Sequence, residues 1–148
     1  MVLQKNVAAL LGATITGIVV MSMVWAVLVT SRTIPNNGSV TAVGVLVYWD
    51  SGCTNQTTSI NWGTVDPNST KSYTIYIKNN GTAPERLGMT TTGWTPSGAQ
   101  SSISLAWNRG NYLLNPSATV SAILTLSVSS SVSVVDFNFN IVITGTEE

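Results

Sequence analysis

The chain has 148 residues, which is enough for one domain of ordinary size and one accessory segment. Six basic and six acidic residues cancel, and charged residues make up only 8% of the chain, so no basic patch is available to neutralise nucleic-acid phosphates. Histidine is absent and Cys53 is the only cysteine, which excludes an intrachain disulfide and any Cys/His metal cluster.

The N-terminal part is strongly apolar. Residues 1–6 read as a short cytoplasmic or leader segment, and residues 7–30 are 24 residues without a charge. As a helix, residues 7–30 would extend roughly 36 Å, more than the about 30 Å of a bilayer core. They predict a transmembrane helix, or alternatively a signal peptide cleaved after small residues such as Ala26. Both interpretations place the remainder outside the cytoplasm.

Four N-x-S/T sequons follow the hydrophobic segment, and all of them are on the side of the chain expected to be extracellular. The glycosylation candidates are Asn37, Asn55, Asn68 and Asn80. They agree with localisation at the cell membrane with an extracellular C-terminal domain, or with secretion to the cell surface.

A short polar segment, residues 31–39, separates the apolar segment from the rest of the chain. Pro35 and the Asn-Asn-Gly run after it cannot continue a helix, so the segment predicts a linker or turn. We expect one extracellular domain over residues 40–148.

Strand patterns with a period of two residues then recur to the end of the chain. The strong ones are at residues 40–49, 72–78, 119–128 and 135–144, and weaker ones are at residues 59–62, 86–92 and 103–108. About seven strands without an amphipathic helix between them predict an all-β fold, an antiparallel immunoglobulin-like or fibronectin-III-like sandwich preceded by one hydrophobic helix. Trp49, Trp62, Trp94 and Trp107 are expected to plug its core or edges.

Catalytic patterns are missing from the sequence. Without histidine, acid–base chemistry would depend on six carboxylates whose spacing suggests no pair. No Gly-rich phosphate loop or activated serine is present. Asp50 and Asp66 could contribute to a Ca²⁺ site, but turn formation is the simpler role for an Asp in a loop. We therefore expect no enzymatic activity, no cofactor and no metal.

Four segments resemble a sandwich domain that is common in small archaeal secreted or membrane-anchored surface proteins. They are YWDSGCTN at 48–55, INWGTVDPNS at 60–69, ISLAWN at 103–108 and FNFNI at 137–141. The resemblance covers roughly residues 40–144 and implies fold and location. A looser similarity is to the bundling pilin and thread subunits of archaea, related to the bacterial biofilm-matrix fibre protein TasA.

The looser similarity implies assembly by donor-strand complementation, in which an N-terminal segment of one subunit completes a sheet of its neighbour. The candidate donor segment here is residues 33–39 and the start of the first strand, with Thr33, Ile34 and Val40 as its apolar and β-branched residues. A plain linker is the alternative interpretation of residues 33–39.

Together these features predict a non-enzymatic structural or adhesion protein of the cell surface, either membrane-anchored or assembled into extracellular filaments. Its expected partners are membrane lipid, through the N-terminal helix, and further copies of itself, but not nucleic acid. The alternatives are a subunit similar to a type IV pilin or archaeal flagellin, and an extracytoplasmic binding module of a membrane complex.

Overall fold

The structure is a computed structural model that describes residues 36–131 and 136–148. The predictions for the leader, the hydrophobic helix and Thr33 and Ile34 lie outside the described residues. In the two described ranges, no helix combines the length and the apolar character needed to cross a membrane.

Nine strands and one short 3₁₀ helix make up the described part of the chain, which confirms the all-β prediction. The strands are β1 (Asn37–Val43), β2 (Val45–Tyr48), β3 (Ser59–Asn61), β4 (Thr70–Asn79), β5 (Glu85–Thr95), β6 (Ile103–Trp107), β7 (Leu113–Leu114), β8 (Thr119–Val128) and β9 (Asn138–Glu147), and the 3₁₀ helix is Ser97–Ser101.

The strands form two sheets. The five-stranded sheet has the order β3-β1-β9-β5-β7, and the four-stranded sheet has the order β2-β4-β8-β6. Every pair is antiparallel except β1 and β9, which run parallel. The prediction of a purely antiparallel sandwich is wrong at this pair, because the first strand is inserted beside the last one instead of forming a hairpin with its neighbour in sequence.

The predicted first strand, residues 40–49, is two strands. Gly44 separates β1 from β2 and adopts a φ of +80°, which L-residues with a side chain rarely adopt. The chain turns there from the five-stranded to the four-stranded sheet. β1 also begins earlier than predicted, at Asn37, so residues 37–39 belong to a paired strand.

The core lies between the inward faces of the strands and follows the period of two. In β8, Ala122, Leu124 and Leu126 are fully buried, and Ile141 and Ile143 of β9 are also 0% exposed. Burying an aliphatic side chain of this size stabilises a fold by about 1.5–3 kcal/mol, so the alternation fixes which face of each strand points inward.

The four tryptophans of the domain pack as predicted. Trp62 is completely buried, and Trp49, Trp94 and Trp107 are half-buried against the core. The ring of Trp94 stacks on Phe139 with 4.3 Å between centroids. These rings stabilise the sandwich and do not form an exposed, coplanar platform in the described residues.

Candidate functional site

The strand β1 lies in a slot between β3 and β9, which we call the β1 slot. Along β9, β1 forms seven parallel register pairs, from Asn37 opposite Asn138 to Val43 opposite Thr144. Along β3, it forms three antiparallel pairs, and Val40 N also donates to Thr58 O at 2.9 Å. Main-chain hydrogen bonds on both sides therefore hold the first strand of the domain.

Beneath β1 lie two bulky core residues, Trp62 and Ile141, which we call the floor of the slot, and the β1 residue next to them is a glycine. Gly38 lies over Trp62, and a Cβ added at Gly38 would be 3.3 Å from Trp62 Nε1 and 3.4 Å from Ile141 Cδ1. The next inward residue, Val40, is 9% exposed and belongs to the core. The floor thus fits one register of the strand, with glycine beside the Nε1 edge of the indole ring.

Asn36 fastens the start of β1. Its side chain is 4% exposed; Nδ2 donates to Gly63 O and Oδ1 accepts from Phe137 N, each at 3.1 Å. Its main-chain O accepts from Trp62 N at 2.8 Å. Since the residues it bonds follow β3 and precede β9, Asn36 ties together the two strands that border the slot.

Gly44 connects the end of β1 to β2 in a single residue. A Cβ at this position would lie 2.6 Å from Gly145 O, so a side chain would not fit even if the positive φ were tolerated. The chain therefore passes from β1 to β2 through a single glycine with a positive φ.

The carboxyl group of Glu85 is buried beside this connection. Glu85 is 5% exposed, and its Oε2 has no hydrogen-bond partner among the described residues. A Cβ at Gly44 would lie 3.2 Å from Oε1, a Cβ at Gly81 would lie 3.6 Å from it, and a Cβ at Gly145 would overlap with Oε2. We call Glu85 with these three glycines the Glu85 cradle.

Burial raises the pKa of Glu85 above its ordinary value of 4.5, and the negative charge of Glu147 raises the pKa further. Glu147 lies directly opposite Glu85 in the β5–β9 ladder, where two like charges oppose each other. The sequence indicated no pair of carboxylates because these two residues are brought together only by the strand register.

The four glycosylation candidates are all exposed. Asn37 lies in β1 with its side chain outward, Asn55 and Asn68 lie in loops, and Asn80 follows β4. The structure therefore leaves every predicted acceptor side chain accessible. Among the candidate donor residues, Val40 is part of β1.

Asp50 and Asp66 act in turns. The carboxylate of Asp50 accepts from Thr54 N at 3.1 Å and from Asn55 N at 2.7 Å, and these hydrogen bonds lower its pKa. The main-chain O of Asp66 accepts from Ser69 Oγ at 2.5 Å. Within residues 36–131 and 136–148, no group of three or more acidic, Cys or His side chains could hold a metal ion.

No protein-family model matches the chain, and no curated protein matches it.

Proposed function

We propose that this protein is a non-enzymatic structural or adhesion protein of the cell surface, and that it assembles into filaments when β1 of one subunit occupies the β1 slot of another. In this proposal, the two sheets are an immunoglobulin-like or fibronectin-III-like sandwich outside the cell, and the apolar residues 7–30 anchor it in the membrane or are removed on secretion.

The observation behind the proposal is the position of β1. It is the first strand of the domain, it is held at both edges mainly by main-chain hydrogen bonds, and only Gly44 connects it to β2. If β1 left the slot, β3 and β9 would each present an unpaired edge, which another extended chain can pair with.

A second copy of this chain suits that slot best, because its β1 carries the same residues in the same order. Gly38 would again lie over Trp62, and Val40 would again enter the core. Exchanging identical elements between subunits replaces each contact with its equivalent, so the enthalpic cost of assembly is small.

The outward side chains of β1 are compatible with its exchange between subunits. Its outward residues Asn37, Ser39 and Thr41 are uncharged, and they lie beside the outward Asn138 and Asn140 of β9. A neighbouring subunit would meet no charge repulsion along this strand. A glycan on Asn37 would point away from the floor of the slot.

Disulfide trapping in the full-length protein tests the proposal. Thr41→Cys and Val142→Cys place two thiols at one β1–β9 register pair, in a Cys53→Ser background that removes the native thiol. Neighbouring strands bring paired Cα atoms within the range that a disulfide requires. If subunits exchange β1, oxidation of high-molecular-weight material links different chains and gives a ladder on a non-reducing gel.

The matched control replaces Thr41→Cys with Thr90→Cys and retains Val142→Cys. Thr90 pairs with Val142 in the β5–β9 ladder, which stays within one chain whether or not β1 is exchanged. The control should therefore run as a monomer. If the Thr41/Val142 pair also forms only monomers in every membrane and extracellular fraction, β1 is a strand of its own domain and the proposal is wrong.

A further inference from the structure

We propose that Glu85 is a protonation-controlled lock on the β1–β2 connection: its neutral carboxyl group stays packed against Gly44, and its ionised carboxylate favours release of β1 from the slot. This inference rests on the proposed function in one respect, since release of β1 is the step that subunit exchange requires.

The carboxyl group of Glu85 lies beside the β1–β2 connection. Glu85 is the first residue of β5, and its carboxyl oxygens lie where a side chain at Gly44 or at Gly145 would have to go. Gly145 O also faces Gly44, so the carboxyl group and the β9 backbone both lie against one side of the connecting residue, whose other side is exposed. Any outward movement of β1 that rotates Gly44 must disturb this packing.

No hydrogen bond from the described residues compensates the burial of Glu85 Oε2. In the described part of the chain, Glu85 Oε2 accepts no hydrogen bond, and a Cβ at Gly145 would meet Val45 Cγ1 as well as Oε2. A carboxylate that is buried without a partner is unfavourable, whereas the neutral acid tolerates burial far better. The closed cradle therefore favours the protonated form.

The surrounding charges act in the same direction. Glu147 of β9 lies directly opposite Glu85 and favours its neutral form. The nearest cation in sequence, Arg86, has its side chain on the exposed side and pairs with Glu148. From the loop after β4, Gly81 faces the carboxyl group, and glycine does not titrate.

The sign of the pH dependence follows from linkage. Because the folded state raises the pKa of Glu85, the closed cradle is most stable below the ordinary value of 4.5 and loses stability as the pH rises through the folded pKa. A unit of pKa difference changes the opening equilibrium about tenfold. Opening of β1 should therefore increase with pH.

Thiol labelling measures this opening locally. In full-length protein with Cys53→Ser, Val40→Cys places a buried thiol inside the slot, and Ala122→Cys places one in β8 as the control for opening of the whole domain. Each of the two thiol variants is made once with the native Glu85 and once with Glu85→Gln, and all four proteins are labelled with dithiodipyridine between pH 4 and 8. At each pH, the labelling rate with Glu85 is divided by the rate with Glu85→Gln, which we call the Glu/Gln ratio. Because the thiol is the same in both proteins, its own titration cancels in this ratio.

We expect the Val40→Cys thiol to be labelled faster than the Ala122→Cys thiol, and its Glu/Gln ratio to rise severalfold over this range, because opening of the slot releases the ionised carboxylate from burial. Unfolding of the whole domain releases the same carboxylate, so the faster labelling of the thiol in the slot is what identifies local opening. Glu147→Gln removes the charge that opposes Glu85, so it should shift the rise in labelling of the slot thiol to lower pH. It also serves as the second variant if Glu85→Gln does not fold. A constant ratio for the thiol in the slot, or equal labelling rates for the two thiols at every pH, overturns the lock.

The labelling test and the disulfide test fail separately. Interchain ladders with a constant labelling ratio would leave strand exchange standing and remove the lock. A rising ratio without interchain ladders would establish a local lock on β1 and remove filament assembly by exchange.

Discussion

The contact between Gly38 and Trp62 yields a prediction with a calculable magnitude. Gly38→Val places a Cβ 3.3 Å from Trp62 Nε1 and 3.4 Å from Ile141 Cδ1, and its methyl groups extend further into the floor of the β1 slot. Overpacking of a tight core costs about 1–3 kcal/mol, and the better strand propensity of valine offsets up to about 1 kcal/mol. We expect a net loss of about 1–2 kcal/mol in the free energy of unfolding.

A double-mutant cycle isolates this contact from other effects. Trp62→Phe removes Nε1, the atom nearest to the added Cβ, so Gly38→Val should cost little in the Trp62→Phe background. The coupling free energy should be about 1–2 kcal/mol in favour of the double variant, well above the few tenths found for independent sites. Urea denaturation of the four proteins, followed by circular dichroism, gives the free energies.

Thr41→Val is the matched control for the same strand. Thr41 is exposed and the two side chains have nearly the same shape, so the free energy of unfolding should change by less than about 0.5 kcal/mol. If Gly38→Val costs the same in the presence of Trp62 as in the Trp62→Phe background, the floor of the slot does not select glycine, and the argument that it fixes the register of β1 is refuted.

Two further predictions concern polar groups outside the slot. The side chain of buried Asn79 donates to Ala83 O at 2.8 Å and to Leu114 O at 3.0 Å, and it accepts from Gly81 N. Asn79→Ala should therefore lower the free energy of unfolding, measured by urea denaturation, by about 2–4 kcal/mol. Asn80→Ala, at the exposed neighbouring position, should leave it nearly unchanged. Asp50→Asn should flatten the acid side of a plot of melting temperature against pH. Hydrogen bonds lower the pKa of Asp50, so its stabilisation is present above the ordinary value of 3.8 and is lost as the pH falls through the folded pKa; an unchanged acid side would contradict this.

Local patterns predicted most strands, because alternation is written in consecutive residues. β8 has the bounds that its pattern predicted, residues 119–128, and β4 extends the predicted residues 72–78 by a few positions. The pattern failed at residues 40–49, where a run rich in β-branched and aromatic residues looks like one strand. Only the contact with Gly145 and the positive φ reveal that Gly44 ends β1.

Features that depend on register were beyond the sequence. The parallel pairing of β1 with β9 joins residues about a hundred positions apart, and no local signal indicates it. The same holds for Glu85 and Glu147, which look like isolated acids in the sequence and become neighbours through the β5–β9 ladder. The candidate donor was placed mainly ahead of the first strand, since residues 37–39 resemble a turn until their partners in β3 and β9 are known.

The proposed lock and the proposed exchange act on different quantities. Exchange restores the β1–β3 and β1–β9 pairs with a neighbour's strand, so the final degree of assembly depends mainly on subunit concentration and on the changed connection at Gly44. The ionisation of Glu85 changes how often β1 leaves its own slot, which is the step that precedes exchange. Opening separates the seven β1–β9 pairs and the three β1–β3 pairs and leaves the other strand pairs in place, so one carboxylate can alter the rate of opening without unfolding the sandwich. A surface protein built in this way would hold its N-terminal strand at low pH and exchange it faster as the pH rises.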